Sequence, residues 1–378
     1  MPDTIQVSTP SRLCLFGEHQ DYLGLEVIAA AIDLRFYAAL TCRPDRQIRI
    51  AIRDSRCDRL DSTNEQQLYE HTVIDLSRPI VYENSRDYLK SSVRVLQKFG
   101  CELTGFDIRL DSEIPIGKGM CSSSTMIVVL IKALLEGTGH PAKDQPRQIA
   151  ELAFQAEVAE FNEPGGRMDH YTSALGGLVH LDFGGDFSIS QLDARLNGCF
   201  LLFDSLEQKD TTRVLAASKI PAQAALAALA PWGITSVRDF LTDPDRLSLL
   251  KHLEEVPRRK LQANIENSRL LQLGLRELTR NPVDDCRLGQ LLTSHHAQLR
   301  DGLGISTPTI ERILDTALAA GAYGGKINGS GGGGCCFVYA RPENAAGILA
   351  AVGRLGYPGR QLRLDTGVRR DDAKEARV

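Results

Sequence analysis

A loop of small residues opens directly into an apolar helix at Pro115-Ile116-Gly117-Lys118-Gly119-Met120-Cys121-Ser122-Ser123-Ser124, followed by Thr125-Met126-Ile127-Val128-Val129-Leu130-Ile131. The first turn of a helix carries N–H donors with no partner inside the helix, at the positive end of the macrodipole. Gly117 and Gly119 let an anion approach that backbone without Cβ interference, so the segment is shaped to hold phosphate. Ser122, Ser123 and Ser124 add hydroxyl oxygens for phosphate or for a bridging Mg²⁺. An ordinary helix N-cap with glycines in its turn would read the same way, so the assignment needs partners elsewhere in the chain. The loop is not a G-x-x-x-x-G-K-[ST] element, because no Ser or Thr follows Lys118, and Cys121 and Ser122 fill the last spacing of G-x-G-x-x-G.

Two further segments supply those partners. Ser11-Arg12-Leu13-Cys14-Leu15-Phe16-Gly17-Glu18-His19-Gln20-Asp21-Tyr22-Leu23-Gly24 begins as an apolar strand and ends in a cluster of Glu, His, Asp and Tyr. Lys326-Ile327-Asn328-Gly329-Ser330-Gly331-Gly332-Gly333-Gly334 runs straight into Cys335-Cys336-Phe337-Val338-Tyr339-Ala340. A glycine run between two apolar elements is better suited to close backbone approach than to a linker.

In this order the three segments resemble the motifs of the GHMP kinase superfamily, named for its galactokinase, homoserine, mevalonate and phosphomevalonate kinases. The likeness extends over 157–177, with Gly165-Gly166-Arg167-Met168-Asp169-His170, and over 295–339. It implies an α+β, two-domain GHMP kinase fold, with a ribosomal S5-like N-terminal domain over 1–195 and a ferredoxin-like C-terminal domain over 196–378. It implies Asp169 as catalytic carboxylate and Arg12 as the cation beside it. ATP would contact Pro115, Gly117, Lys118, Gly119, Met120, Cys121, Ser122, Ser123, Ser124, Gly329, Gly331, Gly332 and Gly333, and Mg²⁺ would take Ser122, Ser123 and Glu157. Read without the family, Lys118 is an exposed lysine, Arg12 a surface charge beside a strand and Glu157 a solvated helix residue.

Glu18, His19, Asp21 and Tyr22 are similar to the sugar-binding signature of galactokinases, where fixed acceptors meet paired hydroxyls. Mevalonate kinases share Gly17-Glu18-His19 but carry apolar residues at the positions of Asp21 and Tyr22. The chain departs from galactokinases at Cys14, where Asn is usual, at Gln20, where Thr is usual, and at Arg167, where the residue is apolar. The tail, with Leu303-Gly304-Ile305-Ser306 and Gly331 to Gly334, looks more like mevalonate kinases. Arg167 either meets a substrate carboxylate, which would suit a uronic acid, or bridges to Glu163. The expected activity is ATP- and Mg²⁺-dependent phosphorylation of galactose, a related monosaccharide or a uronic acid, at the anomeric hydroxyl. The alternatives are a mevalonate-type kinase and a sugar-sensing regulator without turnover.

Composition fits an enzyme of this kind. At 378 residues the chain exceeds what one core usually serves, and a net charge of −4 with interspersed signs gives no reason to expect nucleic acid or an anionic membrane as partner. The nine cysteines are scattered and mostly in apolar contexts, as in a cytoplasmic protein with reduced thiols. C-x-x-C and H-E-x-x-H are absent, the N-terminus lacks a basic-then-apolar signal, and no apolar run approaches bilayer length. A small-molecule substrate and a monomer or homodimer are expected.

Patterning predicts strands at 6–8, 13–16, 27–34, 36–42, 48–52 and 106–112, a hairpin at 178–182 and 187–191, and a strand at 199–204. Helices are predicted at 85–99, 123–136, 145–161, 212–218, 221–229, 247–273, 287–299 and 309–320. The most polar, loop-like stretch is 54–69.

Overall fold

The computed structural model describes residues 4–53, 69–115, 117–163, 165–209 and 211–372. The first sheet is built on two long antiparallel strands, β1 (Ile5–Phe16) and β2 (Glu26–Arg43), where four shorter ones are predicted. At Pro10, which has no N–H to give, the register slips between Pro10 and Ser11 and the strand continues. Arg35 reads as an interruption of β2, yet its buried guanidinium is fully matched. It donates to Ser8 Oγ (2.9 Å), the Ser8 carbonyl (3.0 Å), Asp365 Oδ2 (2.6 Å), the Thr366 carbonyl (3.1 Å) and the Gly367 carbonyl (3.0 Å).

β3 (Gln47–Arg53), β4 (Tyr69–Asp75) and β5 (Gly105–Ser112) extend the sheet from the C-terminal half of β2, with β5 lying between β2 and a parallel β3. β6 (Leu178–Asp182) and β7 (Ser188–Leu192) extend it from the N-terminal half as the expected hairpin. The polar stretch 54–68 lies outside the described residues. Of the helices α1 (Tyr88–Lys98), α2 (Ser122–Thr138), α3 (Pro146–Phe154) and α4 (Met168–Leu175), α2 is the core element, with Ile127 through Ile131 fully buried. Such all-round burial explains why its sequence is apolar on every face. The helix predicted over 145–161 instead runs as α3 and then a π-helical turn, Gln155–Ala159.

The second sheet is antiparallel, in the order β11 (Gly359–Leu362), β8 (Cys199–Asp204), β10 (Cys335–Ala340), β9 (Ala322–Ile327). Numbered along the chain this is fourth, first, third, second, the ferredoxin-like arrangement. Between β8 and β9 the chain inserts α5 (Thr211–Leu229), α6 (Arg238–Thr242), α7 (Glu255–Leu278), α8 (Asp285–Ala297) and α9 (Pro308–Ala319), and α10 (Ala345–Gly353) precedes β11. α5 contains Pro221 within one continuous helix, where two helices are predicted. Against the expectation that no apolar run reaches bilayer length, one helical stretch among the described residues, Arg213–Trp232, is long and apolar enough to cross a membrane by length and composition, with a mean hydropathy of 1.3 over its most apolar 18 residues. Its buried side places Ala225 and Leu229 in a cluster with Phe240, Leu261 and Ile265.

The tail does not stay with the second sheet. β12 (Arg369–Arg370) pairs with β1, Val7 opposite Arg370, and Thr366 bridges to Gly176.

Candidate active site

The end of β1, the loop before α2 and the loop between β9 and β10 meet around a cleft of about 510 Å³. Gly119 is where they join: its carbonyl accepts Arg12 Nη1 and Asn328 Nδ2, each at 3.0 Å. A Cβ on Gly119 would stand 2.7 Å from the Asn328 carbonyl oxygen, and one on Gly329 would stand 2.7 Å from the Gly119 carbonyl oxygen. The two glycine loops therefore touch backbone to backbone, which only glycine permits. Asn328 also accepts the Cys14 N–H at 3.0 Å, and the Cys335 N–H donates to the Lys118 carbonyl at 2.9 Å.

Arg12 projects from β1 and Asp169 from the first turn of α4, and they form an ion pair of 2.8 Å at the cleft. Burial pulls the Arg12 pKa down, but Asp169 outweighs it and raises the pKa above its usual value, so the guanidinium stays charged.

Of the four candidate substrate residues, Glu18 is the deepest, 1% exposed, with Oε1 bound to the ammonium of fully buried Lys326. Lys326 also donates to the Cys14 carbonyl (3.0 Å) and the Ile327 carbonyl (2.9 Å). Among the described residues Glu18 Oε2 has no hydrogen-bond partner, and it lies 4.0 Å from His295 Nδ1. His295 Nε2 accepts the Gly17 N–H at 3.1 Å, which puts the ring proton on Nδ1, facing Glu18. His19 sits at φ 63° with Nε2 3.0 Å from the Ser330 carbonyl and Nδ1 2.9 Å from the Tyr22 hydroxyl. A carbonyl only accepts, so Nε2 donates and Nδ1 accepts; burial lowers the His19 pKa to about 4 and keeps the ring neutral. Both nitrogens being used, His19 latches the first segment to the third. Asp21 accepts the Tyr22 N–H at 2.9 Å, and a Cβ on Gly166 would overlap its carboxylate. Burial, reinforced by the charge of Asp169, raises its pKa to about 6.

Glu157 comes from the π-helical turn and reaches the N-terminus of α2, beside Ser123 and Ser124, while its Oε2 meets His170 Nε2 at 2.6 Å. Burial pushes the Glu157 pKa up, but His170 and the two serines together hold it below the usual carboxylate range. One ionised carboxylate with the hydroxyls of Ser122 and Ser123 in the same lining is a donor set that fits Mg²⁺, which takes its remaining ligands from phosphate and water.

Comparison with known proteins settles the family. The model of the GHMP kinases N terminal domain matches residues 87–177, that of the GHMP kinases C terminal domain 284–358, and the galactokinase galactose-binding signature 2–42. The galactokinase of Streptomyces coelicolor is 30% identical over 357 residues, covering 91% of this chain and 87% of its own length. The chain belongs to the GHMP kinase family. A mevalonate kinase of Thermococcus sibiricus is 27% identical over 355 residues, 92% of each chain. The fold is that of Lactococcus lactis galactokinase, solved in complex with galactose, with a TM-score of 0.80, 18% identity and coverage of 98% of this chain and 95% of that one. This GHMP kinase is thus an α+β, two-domain enzyme and a phosphotransferase with an alcohol acceptor.

The kinase brings most of the candidate residues into the cleft lining: Arg12, Glu18, His19, Asp21, Tyr22, Gly117, Gly119 through Ser124, Glu157, Asp169 and Gly329. Pro115 is not among them. Lys118 turns instead to Asp204 (3.1 Å) and the Glu207 carbonyl (3.3 Å). Gly331, Gly332 and Gly333 pack on Ile305, Val214 and Glu207, so they shape the loop from behind. Arg167 also lies off the lining, 3.4 Å from Glu151 and over the Phe154 ring, rather than against Glu163.

Other residues escape the sequence reading. His170 follows Asp169, and Lys326 and Asn328 sit inside the third glycine segment, so proximity to a motif was their only signal. His295 only heads the 295–339 likeness and Met126 only follows the first glycine loop, while Lys209, Phe36, Ile52 and Tyr88 have no signal in the segments read.

Proposed function

We propose that this GHMP kinase transfers the γ-phosphoryl group of ATP, as its Mg²⁺ complex, to a monosaccharide, at the anomeric C1 hydroxyl of galactose or a close relative. The observation that carries the reading is the Arg12–Asp169 pair at 2.8 Å, set between the phosphate loop and Asp21 in one cleft.

A sugar hydroxyl is a weak nucleophile, and phosphoryl transfer needs it oriented, charge neutralised and water kept out. Asp169, paired with Arg12 at 2.8 Å, accepts the hydroxyl proton as the oxygen attacks. Arg12 stays protonated and offsets charge on the phosphoryl group. The first-turn amides of α2 receive phosphate oxygens, and the apolar slot of Phe36, Ile52, Tyr88 and Met126 suits a purine ring. Glu157, Ser122 and Ser123 would hold Mg²⁺, which would supply positive charge against that of the phosphates.

Galactose is favoured over a uronic acid because Arg167 is engaged by Glu151 outside the cleft. The other departures from the galactokinase pattern also face away: Cys14 is fully buried, and Gln20 donates to the Asn264 carbonyl at 2.8 Å and Ser268 Oγ at 3.1 Å. The match of 2–42 to the galactose-binding signature supports the same choice.

The test is coupled ADP release across galactose, fucose, arabinose, galacturonate, glucuronate and mevalonate. Turnover is expected with galactose or a neutral relative, and Asp169→Asn should lower kcat by about 10²–10⁴-fold with ATP affinity nearly intact. Turnover confined to mevalonate, or an Asp169→Asn variant with wild-type kcat, would overturn the reading.

A further inference from the structure

Arg12 is not the only cation at the junction of the loops. Lys209, on the segment between β8 and α5, donates from Nζ to Ser330 Oγ at 2.8 Å. A Cβ on Gly119 would stand 2.6 Å from the same nitrogen, so the ammonium lies directly against the phosphate loop. An ammonium has three donors, and Ser330 accepts one of them. Lys209 lines the cleft along with Arg12 and Asp169. Lys118, the lysine carried by the phosphate loop itself, is instead committed to Asp204.

We propose that Lys209 is a second catalytic cation of this kinase, donating from Nζ to the γ-phosphoryl group of bound ATP opposite Arg12. The proposal rests on the kinase reading above. In the transfer step a bond forms between the sugar hydroxyl oxygen and the γ-phosphorus, and the bond from that phosphorus to the oxygen bridging the β-phosphate breaks. The electron pair leaves with ADP and the hydroxyl proton passes to Asp169. Lys209 exchanges no proton; it holds charge on the moving group.

The groups facing Lys209 make its charge dependent on pH. Burial, then Arg12 and Lys118, lower its pKa to about 8, against the opposing pull of Cys335 and Asp169, while neutral His19 lies behind the Ser330 carbonyl. A lowered lysine pKa means the charge is present below about 8 and lost above it.

The experiment is calorimetric titration with Mg-ATP and Mg-ADP, which needs no knowledge of the sugar. Wild type should bind ATP more tightly than ADP at about pH 7, and that preference should fall about 10-fold by about pH 9.5 as the ammonium deprotonates, leaving the share due to Arg12. Lys209→Met should lose about 10-fold in ATP affinity and nothing in ADP affinity. Lys209→Arg should keep the ATP preference at about pH 9.5. An ATP-to-ADP ratio unchanged in Lys209→Met, or a wild-type ratio unchanged between about pH 7 and 9.5, overturns the proposal. Should Lys209→Met fail to fold, the Arg variant decides: a preference lost there in parallel with wild type refutes it. If the ATP preference follows Lys209 while no sugar is turned over, the sugar assignment falls and this one stands.

Discussion

At the scale of single residues, the cleft wall divides into groups that face a ligand and groups that hold those groups in place. Asp21 belongs to the first kind. Its pKa, raised to about 6 by burial and by Asp169, means the carboxylate is protonated below that value and can no longer accept two hydroxyl hydrogens. The KM for the sugar should therefore rise as pH falls through about 6, while ATP affinity changes little; a sugar KM flat from about pH 7 to 5 would contradict the role. His19 belongs to the second kind, because Ser330 and Tyr22 take both its ring nitrogens, while Glu18 is half committed, its Oε1 to Lys326 and its Oε2 without a partner among the described residues. The sequence showed that these residues cluster, since a strand end with Glu, His, Asp and Tyr is conspicuous. It could not show which of their atoms are spent internally, because Lys326 lies 308 positions from Glu18 and Ser330 lies 311 from His19.

At the scale of elements, the second glycine loop and the tail do for the fold what local pattern cannot. α2, β5 and the β6–β7 hairpin were legible because their apolar period is set by neighbours on every side or on one side. β1 and β2 were read as four strands because Pro10 and Arg35 look like breaks, and α5 as two helices because of Pro221. β4, β12, α6 and α10 carry weak patterns and were not foreseen. The tail explains Arg35: Asp365, Thr366 and Gly367 supply three acceptors to its buried guanidinium. Ending the chain after Leu362 removes all three and leaves a buried charge underpaired, a loss of about 3–5 kcal/mol. Urea unfolding should show that loss; a truncated protein within about 1 kcal/mol of the full chain would mean the strap carries no load.

At the scale of the molecule, the active cleft forms where two sheets share a core, Phe200, Leu202 and Phe337 of the second lying in one cluster with Leu13, Leu15 and Phe16 of the first; Arg12, the glycine loop before α2 and Asp169 line it from one side, Gly329, Ser330 and Lys209 from the other. The family's three motifs made that convergence readable, and the cleft contains nearly all the residues they point to. Lys209 stayed hidden because it lies in none of the three segments, and the apolar part of the lining because its residues come from separate strands and helices that only the fold brings together. In the proposed reaction a sugar hydroxyl, the Asp169 carboxylate and the end of a triphosphate meet at one point beside Gly119. The most direct measurement is a crystal structure with galactose and a non-hydrolysable ATP analogue. The account predicts the sugar's C1 hydroxyl at hydrogen-bond distance from Asp169 and about 3–3.5 Å from the γ-phosphorus, with the phosphates over the N-terminus of α2. A nucleotide bound away from that helix, or a sugar whose hydroxyls all turn from Asp169, would contradict it.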